Sequence, residues 1–333
     1  MDNYQSMDYY IERSVEYVKQ GLAIGRSFAF SAPKGVVKNV VLAGLGGSGI
    51  GAELVHNYLE LTIKVPVVIS KDYFLPAFVN EDTLVIACSY SGNTEETLAA
   101  VSEARHKNAQ ILCITSGGML KAFADEHQYD CIVLPSGIPP RAYVAGSFSQ
   151  TLFALQHFGL INDAFISEIE AAADFLAAKE AAIKAKAEEL AKQVLGKILV
   201  IYADQRIGGV ATRWRQQLNE NGKALGWERT IPEMNHNELV GWSESNPNLA
   251  VVLLHMGTEL PNVKKRFAIT AEVAGNCTDA VYDIHAEGNT FFEKTFYLML
   301  LGDWLSWYLA DMRGVDAVQV RVINYLKASL EAK

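Results

Sequence analysis

Apolar positions recur along this chain in two alternating rhythms. Short continuous runs, Asn39 to Gly44, Val65 to Ser70, Thr83 to Cys88, Gln110 to Thr115 and Asp130 to Leu134, are bounded by Gly, Pro, Asn or Ser. They read as strands, and the spacing between them is helical, the signature of parallel βαβ units. Five such strands with their helices predict one doubly wound α/β layer sandwich, preceded by an amphipathic helix in the first 25 or so residues. Ser167 to Gln193 changes character, being dense in Ala, Glu and Lys with no Gly or Pro, and predicts a long exposed helix at a domain joint.

Beyond Gly196 the alternation restarts. Lys197 to Ala203, Ala250 to Met256 and Asp279 to His285 read as strands, and Gly208 to Lys223, Pro261 to Gly275 and Thr290 to Asp311 as helices. A last helix from about Val318 to Leu330 carries Val320, Ile323, Tyr325 and Leu326 at helical spacing, and is expected to pack on the body. The predicted organisation is an α/β domain over residues 1–165, a linking helix over 166–194 and a second α/β domain with its C-terminal helix over 195–333.

Composition narrows the class. With 333 residues, half of them hydrophobic and a fifth charged, the chain can bury full cores and is not globally disordered. The formal net charge of -9 opposes sequence-independent binding to nucleic acid, but leaves room for an anionic metabolite held by local donors. Cys88, Cys113, Cys131 and Cys277 form no CxxC pair and read as reduced residues of a cytosolic protein. Met1 to Glu16 has no basic region followed by an apolar stretch, so no signal peptide is expected. Ala142 to Asn162, nearly uncharged, contains Ser147, Ser149, Gln150, Thr151, Gln156 and His157, too much polarity for a membrane span. The expectation is a soluble cytoplasmic protein with neither a membrane nor a nucleic-acid partner.

Two strand-to-helix loops carry candidate chemistry. In Val40 to Glu53 the strand runs through Gly44, Gly46, Gly47 and Gly49 into a helix, so backbone N–H groups can approach an anion closely. Gly44, Gly46 and Gly49 also satisfy GxGxxG, with Asp72 a little over 20 residues on, which keeps a dinucleotide site in view. Ile86 to Thr97 repeats strand, loop and helix and places Ser89, Ser91 and Thr94 within six positions. In a parallel sheet these loops open at one edge, where Ser48 and the hydroxyl cluster suit a compact phosphate monoester. The plain alternative is helix capping by Ser91 or Thr94.

Further on, Pro139-Pro140-Arg141 is a stiff turn delivering a guanidinium able to stabilise an oxyanion. Glu220 falls in the last turn of a predicted helix, where a carboxylate meets the unfavourable dipole end, a poor choice for stability and a reasonable one for a base. His236, in Pro232 to Glu238, is the one histidine of seven in such polar company, and an acid/base role fits it. His255 and His285 end apolar strands and read as core or rim residues. With no HExxH, no paired Cys ligands, no Asp-rich loop and no GxSxG elbow, neither metal chemistry nor an acyl-transfer triad finds support.

With Gly46-Gly47-Ser48-Gly49, Ser89 to Thr97, Pro139-Pro140-Arg141, Asn219-Glu220-Asn221 and His236-Asn237-Glu238 in this order, the chain resembles the bifunctional phosphoglucose/phosphomannose isomerases of the sugar isomerase (SIS) superfamily. The resemblance spans nearly the whole chain. It implies two SIS domains, each a parallel five-stranded sheet flanked by helices, and a homodimer with active sites shared between subunits. It implies no cofactor and a phosphosugar substrate. Gly47, Ser48, Ser89, Ser91 and Thr94 then correspond to the phosphate cradle and Arg141 to the group holding the enediolate. Glu220 corresponds to the base moving a proton between C1 and C2, His236 to the ring-opening group reaching in from the neighbouring subunit, and Lys327 to the lysine assisting at the ring oxygen. One departure stands out. After Gly314-Val315-Asp316 the family commonly reads Pro-Thr-Pro-Val, and here Ala317-Val318-Gln319-Val320 follows, so the threonine associated with tolerance of the mannose epimer is replaced by Val318. The rival readings are a non-catalytic phosphosugar sensor on the same fold, an isomerase of another phosphosugar, and a dinucleotide-dependent oxidoreductase resting on the three glycines alone.

Overall fold

A computed structural model describes residues 4–331. The chain opens with α1 (Met7–Ile11), α2 (Ser14–Ser27), β1 (Asn39–Ala43), α3 (Gly46–Leu59), β2 (Val67–Ser70) and β3 (Thr83–Cys88). It continues through α4 (Glu95–His106), β4 (Gln110–Thr115), α5 (Gly118–His127), β5 (Asp130–Val133), α6 (Val144–His157) and α7 (Ala164–Val194). There follow β6 (Ile198–Asp204), α8 (Gly208–Glu220), β7 (Gly226–Ile231), β8 (Leu249–His255) and α9 (Pro261–Gly275). Last come β9 (Val281–His285), α10 (Phe291–Met312) and α11 (Arg321–Glu331).

Two compact units result. The N-terminal unit is Arg13–Ala178 with Asn289–Glu293; the C-terminal unit takes the described residues up to Glu12, Lys179–Gly288 and the chain from Lys294. The unit boundary falls within the continuous α7.

The N-terminal unit holds a five-stranded sheet in the order β2-β1-β3-β4-β5, all parallel. Every residue of β3 and β4 is buried, in keeping with their apolar stretches 84–88 and 111–114 when helices cover both faces. Val41, Val85, Ala100, Val101, Cys113 and Leu120 form one core layer. The strand order reverses between β1 and β3, and in open parallel sheets the crevice outside the carboxyl ends at such a reversal is where ligands bind.

The C-terminal unit has four parallel strands among the described residues, in the order β7-β6-β8-β9, one fewer than the resemblance implies. Val200, Tyr202, Val251, Leu253 and Phe267 centre its core. Strand β7, Gly-Trp-Glu-Arg-Thr-Ile, escapes a hydrophobicity pattern because it is an edge strand and Glu228 on it is paired with Arg215.

Other expectations need correction. The first helix is two, α1 and α2. Helix α8 stops at Glu220 because Lys223 turns to a left-handed φ of 51° and Ala224 N–H bonds Leu218 O at 3.1 Å, an end that closes the helix. Helix α7 is not exposed all round: Ile169, Leu176, Ile183 and Leu190, seven apart, are buried along one face. Helix α11 does not pack its apolar side: Val322, Tyr325, Leu326 and Leu330 are exposed and Ile323 is 40% exposed. All four cysteines are free. Among the described residues no helix is long and apolar enough to cross a membrane.

Candidate active site

The loops after β1, β3 and β5 all open at the carboxyl edge of the N-terminal unit's sheet. Ser48, in the first turn of α3, and Ser89 are buried; Thr94 is half-buried and Ser91 exposed. Thr94 is the N-cap residue of α4, yet its hydroxyl makes no capping bond and lies 2.8 Å from Ser89 Oγ. Leu45, at the N-cap of α3, supplies no side-chain acceptor either. Two helix N-termini at the switch point thus leave first-turn N–H groups free of side-chain caps, the condition for binding a phosphate.

The turn between β3 and α4 is tightly fixed. Gly92 has φ +71°, and a Cβ there would stand 1.8 Å from Gly117 O, so only glycine fits. Its N–H donates to Ser89 Oγ at 3.1 Å, Leu120 N–H donates to its carbonyl at 2.8 Å, and Met119 N–H donates to Asn93 Oδ1 at 3.0 Å. Tyr90 OH donates to Pro135 O at 2.6 Å, tying this turn to the segment after β5. Beneath it, Ser48 and Ser147 hydrogen-bond the Cys88 thiol, which burial pushes up to about 11 and so keeps protonated.

Arg141, buried in a short 3-10 turn (Pro140–Ala142), belongs to the same cluster. A Cβ on Gly47 would be 2.9 Å from Pro140 O and 3.4 Å from Arg141 N, so the absent side chain lets the arginine turn sit against the start of α3. The dinucleotide reading loses ground here. The sheet order is the flavodoxin type, not that of a dinucleotide fold, and the exposed Asp72 accepts from Tyr73 N–H at 2.6 Å.

In the C-terminal unit, Glu220 is the last residue of α8 and is half-buried in a cavity of about 520 Å³. Asn219, Lys223, Asp316, Gln319 and Val320 line it too. Lys223 Nζ donates to Glu220 O and, at 3.4 Å, to Ala317 O, joining the end of α8 to the segment before α11. Buried Asn221 donates to Ser306 Oγ at 3.0 Å and Arg313 to Gly222 O at 2.6 Å, which fixes the turn. Lys223 was missed in the sequence, although a cation three residues after a helix-terminal carboxylate is a readable signal.

His236 is exposed on a 3-10 turn (Glu233–His236) after β7. Glu238 anchors that segment: its Oε1 accepts from Tyr202 OH and Trp227 Nε1, both at 2.7 Å, and its Oε2 lies 3.3 Å from Arg229 Nε. Burial and the Glu238 carboxylate push the Tyr202 phenol strongly upward, so it remains a donor. Lys327 is exposed on α11 and is not among the cavity's lining residues. The fold therefore gathers Gly47, Ser48, Ser89, Ser91, Thr94 and Arg141 at one sheet edge. Within the C-terminal unit, Glu220 lies in its own cavity, and His236 and Lys327 stand on other elements.

Comparison with known proteins agrees with this architecture. The model of the bacterial phospho-glucose isomerase C-terminal SIS domain matches residues 183–330, and the SIS domain model matches residues 36–129. A bifunctional phosphoglucose/phosphomannose isomerase of Caldicellulosiruptor bescii is 35% identical over 328 residues, covering 95% of this chain and 96% of the relative. One from Aquifex aeolicus is 36% identical over 297 residues, covering 88% and 91%. Among solved structures, the C-terminal domain of glucosamine-fructose-6-phosphate aminotransferase from Francisella tularensis superposes with a TM-score of 0.76 at 14% identity, covering 96% of this chain and 99% of that one, a likeness of fold alone.

Proposed function

The chain belongs to the bifunctional phosphoglucose/phosphomannose isomerase family, and from that premise we propose that it is a phosphosugar isomerase interconverting aldose and ketose hexose 6-phosphates through a cis-enediol. The observation that carries this reading is the meeting of the buried Ser48, the Ser89–Thr94 hydroxyl pair and two uncapped helix N-termini at the β1/β3 switch point, with Arg141 packed against Gly47.

In the proposed reaction the 6-phosphate is held by the hydroxyls of Ser48, Ser89, Ser91 and Thr94 and by backbone N–H groups around Gly47. His236, with Lys327, opens the sugar ring. Glu220 takes the C2 proton of the open-chain aldose and returns it to C1, and the aldose becomes the ketose with no net gain or loss of atoms. Arg141 offsets the negative charge developing on the enediolate oxygen. A homodimer in which His236 serves the neighbouring subunit's sugar completes the proposal, and every step uses protein groups only.

The test is incubation of the purified protein with fructose 6-phosphate, following glucose 6-phosphate and mannose 6-phosphate separately. Formation of glucose 6-phosphate is the expected result. Formation of neither aldose, with phosphosugars still stabilising the fold, would transfer the chain to the sensor reading or to another phosphosugar.

A further inference from the structure

Among the described residues, three groups with metal-ligating atoms converge at the carboxyl edge of the C-terminal unit's sheet: His255, Asp283 and His285. We propose that they form a binding site for a divalent first-row transition ion of the zinc class. The register of β8 and β9 sets His255 opposite His285 and Leu253 opposite Asp283. Residues two apart on a strand share a face, so the Asp-x-His of β9 presents both side chains on the side of the sheet that carries His255.

The geometry is close to a ligand set. The His255 and His285 rings stack with centroids 4.5 Å apart and planes 19° apart, and His255 Nε2 lies 2.6 Å from Asp283 Oδ1. One ligand atom from each of the three residues lies within 4.8 Å of the others. Zinc holds nitrogen and oxygen at about 2.0–2.2 Å, which separates neighbouring ligand atoms by roughly 3–3.5 Å. Side-chain rotations that move these atoms by about an ångström would therefore close the set around an ion.

The three ligands are graded from inside to outside. His255 is 8% exposed, with Phe267 4.3 Å from its ring, and makes a fixed inner ligand; Asp283 and His285 are exposed and face solvent. Two imidazoles and one carboxylate suit zinc, nickel, cobalt or copper better than calcium or magnesium, which take oxygen ligands. Three protein ligands also leave coordination positions for water or a small anion. The competing reading is an ion pair between His255 and Asp283 with His285 stacked upon it. It predicts no dependence on metal. No sequence motif announces the site, because 28 positions separate His255 from Asp283 and only the parallel register joins them.

The experiment is titration of the chelator-treated full chain with Zn²⁺ by calorimetry, and with Co²⁺, whose visible absorption separates nitrogen and oxygen ligation from thiolate ligation. One equivalent per chain, a nitrogen/oxygen spectrum and a higher Tm with Zn²⁺ are expected. His285→Gln and Asp283→Asn, both at exposed positions, should each weaken binding at least tenfold and abolish the Tm shift, with unchanged circular dichroism and metal-free Tm. Absence of binding by the unaltered chain, a thiolate spectrum, or affinity in both variants equal to that of the unaltered chain would overturn the assignment and leave the ion pair.

Discussion

Glu220 and His236 stand at opposite edges of one parallel sheet. Helix α8 leaves β6 at its carboxyl edge and runs back 13 residues, so Glu220 ends near the amino edge, while β7, parallel to β6, carries the chain forward again to His236. A helix of that length spans about 20 Å. This separation supports the expectation, drawn from the family resemblance, that His236 serves the neighbouring subunit's sugar. The proposed exchange makes a complementation prediction. Glu220→Gln and His236→Asn should each be inactive alone, and their mixture after dissociation and reassociation should recover up to about a quarter of normal activity, because half the dimers then contain one intact site. Activity measured against mixing ratio checks this, and a mixture as inactive as its components would refute the shared site.

The proton-shuttling and phosphate-binding roles are separable by kinetics. Glu220→Gln should lower kcat by about 10²–10⁴-fold, the usual worth of a positioned acid/base, while inorganic phosphate binds as before. Ser89→Ala removes the partner of Thr94 and should act on binding instead. A hydrogen bond to a charged group contributes roughly 1.5–3 kcal/mol, so KM for fructose 6-phosphate should rise by about 10- to 100-fold with a smaller change in kcat. Steady-state kinetics beside phosphate titrations would show the two signatures, and a Gln variant with normal turnover would sink the assignment of Glu220.

Gly47→Ala tests the seat of Arg141. The new Cβ would meet Pro140 O at 2.9 Å, and backbone on both sides leaves it nothing flexible to displace. Overpacking of this kind costs about 1–3 kcal/mol. Stability by denaturant titration should fall by that amount, and kcat/KM should fall at least tenfold as the arginine turn is pushed from the start of α3. Gly35→Ala, where nothing lies within 4 Å, is the control and should change neither measurement.

Much of this architecture was legible in the residues. Strands β3 and β4 run where the runs of Thr83 to Cys88 and Gln110 to Thr115 put them, because a strand buried on both faces is predominantly apolar. Edge strand β7 was not legible, since Trp227, Glu228 and Arg229 satisfy a half-exposed environment with polar contacts rather than with an apolar run. The hydroxyl cluster could be read from spacing alone, because five residues and one turn join Ser89 to Thr94. What spacing could not give is the approach of Pro140 to Gly47, or of His285 to His255, both set by tertiary packing and register. Helix α11 shows the converse. Its apolar periodicity signals a buried face, and the chain by itself leaves that face exposed, so pattern specified amphipathicity but not what covers it.

We predict that substrate range can be tuned from Val318. Its N–H is held by Asp316 Oδ1 at 2.8 Å, and its neighbours Asp316, Gln319 and Val320 line the cavity that contains Glu220. Val318 itself is not among the lining residues, so a change of side chain there would act on the cavity through these neighbours. Thr is nearly isosteric with Val and adds one hydroxyl, which restores the residue that the resemblance associates with tolerance of the mannose epimer. Val318→Thr should therefore raise the ratio of mannose 6-phosphate to glucose 6-phosphate formed from fructose 6-phosphate, by about tenfold, with Tm nearly unchanged because the residue is only half-buried. Chromatographic separation of the two aldoses at early times measures the ratio. An unchanged ratio would show that epimer choice is made elsewhere in the cavity, with Gln319 the next residue to substitute.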